Sequence, residues 1–260
     1  MKKLLALVNN KLMGVYLIIA FLAFWQLAPS LGLANPIFVP PLSTVLAEGH
    51  EMTLIKILIN IAVSMKRVVI GFVISTALGL PFGFILAGAL PRVVSFIRPL
   101  TVFLSQIPPF ILFPIFVIIS GPGEGGIYTV IFWSSFWPIL FTTIAGVQHV
   151  DARLIRCAKA MKASNFDIFF KVVLPGAFPT IMTGIRSGLT MSFLMLIGAE
   201  SMGADSGLGW LIHNSQSMGF IPRIYLGALL VAVVGFALNY FSETVEKNVF
   251  DWKEVAEEKG

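Results

Sequence analysis

Few residues of this chain are of types that carry out covalent chemistry, and those few are scattered. His50, His149 and His213 have no metal-ligand spacing. Cys157 is the single cysteine, so neither an intrachain disulfide nor a cysteine metal cluster can form. The stretch Gly121-Pro-Gly-Glu-Gly-Gly126 is rich in glycine but lacks the Lys-Ser/Thr of a phosphate loop and precedes an apolar run, so it reads as a tight turn. No Gly-x-x-x-x-Gly-Lys-Ser/Thr occurs elsewhere, so the chain has no cradle of its own for ATP phosphates. What stands out is a concentration of charge. Arg153, Arg156, Lys159, Lys162 and Lys171 lie between Val150 and Pro175, with Asp151 and Asp167 among them. At helical spacing Leu154, Cys157, Ala158 and Met161 form an apolar face beside Arg153, Arg156 and Lys159. Such a helix suits docking: it lies in a partner's groove or on anionic headgroups. The helix alone leaves both open.

The elements that must carry this segment are membrane spans. Hydrophobic residues make up 57% of the 260 and charged residues only 12%, about half the usual share, too few to solvate a soluble domain. An apolar helix needs about 20 residues to cross the hydrocarbon. On that measure the spans are 12–31, 68–90, 100–120, 127–147, 176–199 and 224–241. The first is read as an uncleaved span; Pro29 is awkward for a signal-peptide cleavage site. Residues 36–50 and 201–220 read as loops, 91–99 as a short polar turn, and 53–67 as a surface helix or the entry to the second span. Residues 53–246 form the core of one transmembrane domain, with the loop 150–175 between spans and a charged, helical tail at 242–260.

Orientation follows from charge. With six spans and the N-terminus inside, the inside segments 1–11, 91–99, 148–175 and 242–260 hold 13 of the 18 lysines and arginines. That matches the positive-inside rule and puts both termini and the charged loop in the cytoplasm. The net charge of +5 is thus a topology signal, with no nucleic-acid partner implied.

Polar residues within spans indicate where function could lie. Gln106 and Pro109, beside Pro108 and Pro114, interrupt the third span, which is tolerable only against other helices or a water-filled path. Arg186 lies well inside the fifth span and needs a partner, headgroup or water; a pairing role stands ahead of an anion contact on the path. Glu200, at the outer end of that span, is read as a path or gate residue or as a simple pair. No carboxylate lies mid-bilayer where ion-coupled carriers keep theirs, which disfavours a self-powered transporter. An independent channel or ion-coupled carrier is the competing class. A membrane-embedded enzyme would need clustered histidines or acids at one face.

Residues 156–175 match the spacing of a known loop. Arg156-Cys157-Ala158, Lys162, Val172 and Leu174-Pro175 stand at the places of the EAA loop of ATP-binding-cassette importer permeases. Gln106-Ile-Pro-Pro109, Pro114, Gly146-Val147, Pro179, Gly184-Ile-Arg186, Ala199-Glu200 and Gly207-Leu-Gly209 extend the resemblance to the sulfonate, nitrate, taurine and thiamine-precursor branch, from about Arg67 to Trp252. The resemblance implies an all-α type I permease fold of about six spans in the bacterial inner membrane, acting as a homodimer. It implies two cytoplasmic ATPase subunits that bind the ATP and magnesium, an extracytoplasmic solute-binding protein, and no cofactor in this chain. The coupling contact would come from Arg153, Leu154, Arg156, Cys157, Ala158, Lys159, Met161, Lys162 and Pro175. The path would come from Gln106, Pro109, Arg186 and Glu200. Two places depart from the family pattern: Arg156 replaces its Glu, and Lys162 replaces the Gly at which the chain turns after the short helix. Compensating acidic residues are expected on the ATPase.

Overall fold

In lipid a backbone N–H or C=O finds no water, so a chain this apolar is confined to helices or a closed barrel. The computed structural model describes the backbone of residues 2–88, 91–121 and 123–257 and the side chains of residues 14, 16–88, 93–121 and 123–247. All regular structure in this range is helical: α1 Lys2–Ser30, α2 Leu42–Glu51, α3 Leu54–Gly88, α4 Pro91–Ser105, α5 Phe113–Ser120, α6 Glu124–Gln148, α7 Ala152–Ala160, α8 Asn165–Ile168, α9 Leu174–Gly203, α10 Leu208–Ser217 and α11 Ile221–Glu257.

Among the described residues four helices are long and apolar enough to span a membrane: Leu54–Gly88, Glu124–Gln148, Asn165–Gly203 and Ile221–Lys247. These correspond to the second, fourth, fifth and sixth of the spans expected from hydropathy. The first lies within α1, a 29-residue helix whose described apolar stretch is Tyr16–Ser30, and the third begins with the shorter apolar helix Val93–Ser105. The third is split because Pro108 and Pro109 remove consecutive backbone donors; α4 ends at Ser105 and α5 starts at Phe113. Other boundaries shift for local reasons. Residues 53–67 enter the second span as its first turns, giving one 35-residue helix. The 91–99 turn is helix, since proline at the first helical position has no donor to lose. The loops 36–50 and 201–220 each contain a two- to three-turn helix, α2 and α10. The fifth span starts eleven residues early: α8 runs through a π-helical turn, Phe169–Val173, into α9. Pro175 cannot donate to the carbonyl four residues back, and a widened turn just before it accommodates that loss. Of the expected tail 242–260, residues 258–260 lie outside the described residues, as do Ala89 and Leu90 of the second span and Pro122 of the 121–126 turn.

Small residues bring the spans together. On α3, Gly71, Ser75, Gly79 and Gly83 recur every four residues, on one face, and all are buried. They meet Ile131, Ser135, Ile139 and Thr143 on α6 in the same order. A Cβ on Gly71 would stand 2.5 Å from Ile131, and one on Gly83 2.6 Å from Thr143, the close approach that packs helices in lipid. Matching order means that α3 and α6 run parallel, so α4 and α5 together return across the layer. Helix α9 runs antiparallel to α6, with Gly146 against Ala177, Gly184 against Thr142 and Gly188 against Ile139. One end of the bundle therefore collects the starts of α3, α6 and α11 and the end of α9. The other end collects α7 and the far end of α11. The core among them holds Val68, Phe113, Ile127, Val130, Ile131, Phe193 and Leu196.

Candidate functional site

The charged loop folds into a short helix on the bundle's surface. The Asp151 carboxylate caps α7 by accepting the Arg153 N–H at 2.8 Å. At the other end the Lys162 N–H donates to the Lys159 carbonyl (2.9 Å) and the Ala163 N–H to the Ala158 carbonyl (3.1 Å), the paired bonds of a Schellman stop. Such a stop needs a left-handed residue between them, and Lys162 supplies it at φ 55°. Immediately after, Ser164 accepts the Asp167 N–H (3.1 Å) and donates to the Asp167 carboxylate (2.5 Å), which starts α8. Lys171 pairs with Asp167 at 2.6 Å. Of the residues named for coupling, Arg153, Leu154, Arg156, Cys157, Lys159, Met161, Lys162 and Pro175 are exposed and Ala158 half-buried. Leu154 is 55% and Met161 83% exposed, and Phe166 beyond the turn is 70% exposed. No residue of α7 is fully buried, so much of its apolar face is exposed among the described residues.

At the opposite end lies a buried ionic network that sequence reasoning missed. Arg67, 3% exposed, bonds Glu200 (2.7 Å), the Glu124 carboxylate (2.5 Å) and the Ser206 carbonyl (2.6 Å). Glu200, 1% exposed, also accepts from Ser64 (2.8 Å) and the Gly209 N–H (2.9 Å). Ser64 in turn accepts the Leu208 N–H at 2.9 Å, and Asn60 accepts the Gly207 N–H at 2.8 Å. Gly207 has φ 114°, and a Cβ there would meet the Glu200 carboxylate at 2.3 Å, so only glycine fits this turn. The network joins α3, α6, α9 and the 204–209 turn. The available signal was the spacing of Asn60, Ser64 and Arg67, which puts three polar side chains on one face of an otherwise apolar helix.

Arg186 is half-buried and pairs with Glu246 (3.1 Å) and Glu243 (3.7 Å) on α11, with Asn239 accepting a third bond at 3.3 Å. Gln106 and Pro109 do meet a cavity. It measures about 330 Å³ and lies between the break in the third span, α6 and α9; Trp133, Ser134 and Trp137 also line it. Neither Arg186 nor Glu200 reaches it. Among the described residues no group of histidine, cysteine or acidic side chains is arranged to hold a metal.

Residues 79–251 match the protein family described as binding-protein-dependent transport system inner membrane component. The chain is 30% identical over 241 residues to the putative aliphatic sulfonates transport permease protein SsuC of Bacillus subtilis, covering 92% of this chain and 87% of that one. It is 28% identical over 240 residues to the taurine transport system permease protein TauC of Escherichia coli, covering 89% and 86%. The bicarbonate transport system permease protein CmpB of Synechocystis is 29% identical over 238 residues, covering 86% and 84%. Among solved structures, an inward-facing MetNI methionine ABC transporter shares the fold, with a TM-score of 0.64 at 18% identity over 76% of this chain and 99% of that one.

Proposed function

The chain belongs to the family of binding-protein-dependent transport system inner membrane components, and from that premise we propose that it lines half of an import path for a small oxyanion, driven through α7 by a separate ATPase. It is a multi-pass permease subunit of an ABC transporter and works as a transport component. The exposed helix α7 carries the mechanistic part of the reading. It is capped at both ends, exposed, apolar on one side and basic beside it, which suits a groove of acidic character. Its rigid stops would pass a movement of the ATPase directly into α9.

Two ATPase subunits, a solute-binding protein and a second copy of this chain complete the proposed assembly, with ATP and magnesium held by the ATPases and no cofactor here. Both termini and α7 face the cytoplasm in this reading. Charge supports it: at the opposite end Arg67 and Arg223 are neutralised by Glu124, Glu200 and Glu48, whereas Arg153, Arg156, Lys159 and Lys162 near α7 have no acid of another helix against them among the described residues. The relatives named for aliphatic sulfonates, taurine, bicarbonate and nitrate support the substrate class, since each solute presents anionic oxygens. A thiamine-precursor-like heterocycle is the alternative cargo.

Leu154 tests the coupling. Leu154→Asp puts a charge on an exposed position, so the permease is expected to keep its melting temperature within about 1 °C, surface changes costing little. It should lose most co-purification with the ATPase and most ATP-driven uptake of labelled taurine or nitrate in cells. Full uptake by the variant, or uptake that persists when the ATPase is deleted, overturns the coupling role and favours an independent channel or ion-coupled carrier.

A further inference from the structure

A helix that widens by one residue changes which side chains share its faces. The turn Phe169–Val173 between α8 and α9 is π-helical, a feature frequent at functional sites. Each residue turns an α-helix by about 100°. An uninterrupted helix would put Phe169 about 80° from Ala177, and the extra residue of a π turn brings them within about 20°. Ala177 belongs to the buried face of α9 and meets α6 at Gly146. Phe169 is thus turned inward. Its ring meets Phe84 of α3 edge to face, with centroids 5.2 Å apart, and both residues are half-buried. On its other side Phe169 packs against Phe170 at 5.0 Å, and Phe170 against Phe166 at 4.4 Å. Four rings therefore run from exposed Phe166 to α3, and α7 lies against the same π turn.

We infer that the Phe169–Phe84 contact is a second drive link, which carries a displacement of α7 into α3 alongside the continuous helix that carries it into α9. This rests on the coupling reading above and adds the residues that pass the movement on. Chains of packed side chains and rigid elements are what carry coupling between distant sites, and an aromatic ring is a stiff member of such a chain. Phe84 stands where a push is shared. It follows Gly83, whose missing Cβ lets Thr143 of α6 press against α3, so a force on Phe84 acts on α3 and α6 together. Phe84 and Phe169 act through the helices they join and are positioning residues.

The complex of permease, ATPase and binding protein in proteoliposomes tests the link through the solute imported per ATP hydrolysed. Phe84→Ala and Phe169→Ala should still co-purify with the ATPase and hydrolyse ATP. Each should import about fivefold less labelled taurine, methanesulfonate, nitrate or bicarbonate per ATP, the scale of one aromatic pair. The double variant should lose no more than either single one, because both remove the same contact. A contact that only stabilises the fold would lower the yield of complex and leave this ratio alone. If the alanine variants do not assemble, Phe84→Leu and Phe169→Leu, which keep most of the bulk, should lower the same ratio. An unchanged ratio in the assembled variants, or losses that multiply in the double variant, overturns the link. A second measurement needs no solute. 4-Fluorophenylalanine in place of Phe84 senses the Phe169 ring by fluorine NMR, as a shift difference between the wild-type complex and Phe169→Ala. A link that carries load should keep this difference both without nucleotide and with ATP and vanadate; its loss in either state overturns the link. If the wild-type complex imports none of the four anions, the oxyanion reading falls and the NMR result alone decides the link. A permease that forms no complex with the ATPase overturns the coupling reading and this inference together.

Discussion

A lysine held at φ 55° carries a standing cost, because its Cβ crowds the following carbonyl as glycine's hydrogen does not. Lys162 has this conformation because the Schellman stop of α7 admits no other, and glycine is the residue that fits it without strain. The family pattern has glycine there, and the structure explains why. Lys162→Gly should raise stability by about 1 kcal/mol, read as an upward shift in thermal unfolding of the purified permease. An unchanged or lower midpoint would mean that the lysine stem makes compensating contacts. Arg67 is the opposite case, since its charge is matched on two sides. Arg67→Ala should cost about 3–5 kcal/mol, the penalty of leaving a buried charge unpaired. Glu200→Gln keeps the hydrogen-bonding shape and should cost less than Arg67→Ala. Thermal unfolding of both variants in the same lipid would check the order, and equal losses would show that charge is the smaller part of the network.

Helices α3 and α6 depend on absent side chains more than on present ones. Four small residues on α3 let α6 approach until Ile131 and Thr143 fill the space a Cβ would take. The buried Ser75–Ser135 hydrogen bond, 2.6 Å long, lies in the middle of this seam. Gly71→Val places two methyl groups where Ile131 already sits and should cost about 1–3 kcal/mol by overpacking. Combining it with Ile131→Ala should restore part of the loss, since the two changes share one contact. Size-exclusion profiles and melting curves of the single and double variants would decide. Additive losses would mean that α6 shifts away and leaves no shared space. The break in the third span is a device of the same scale: Pro108 and Pro109 end α4, and the cavity lined by Gln106 and Pro109 lies at that break.

The whole molecule is asymmetric from end to end. One end is tied by the Arg67 and Arg223 ion pairs, so the turns connecting the spans there are held to the bundle. The other end presents α7, attached through two tight stops to the long helix α8–α9. A load applied to α7 would therefore be transmitted rather than absorbed. The exposed, single Cys157 makes the orientation measurable without any engineered cysteine. A membrane-impermeant maleimide should label it in inside-out vesicles and leave it unlabelled in right-side-out vesicles. Labelling from outside would reverse the proposed topology and remove α7 from reach of any cytoplasmic ATPase.

The membrane class, the helical fold and the family itself were all legible in the chain, as was a short charged helix within residues 150–175. Composition, apolar run length and residue spacing are local quantities, and lipid leaves a backbone few alternatives to a helix. Even the odd position of Lys162 could be read from spacing, though its left-handed backbone could not. That Arg186 needs a partner could be read, but which residues meet over long separations could not. Arg67 meets Glu200 across 133 residues and Glu124 across 57, and Arg186 meets Glu246 across 60. Each depends on which faces of which helices are turned together. The same holds for Trp133 and Trp137, whose buried indole N–H groups meet no acceptor among the described residues, since a tryptophan in an apolar run looks the same whether its N–H is bonded or not. Periodicity says which residues share a face. Only helix packing, set here by small residues that permit close approach, decides what that face meets.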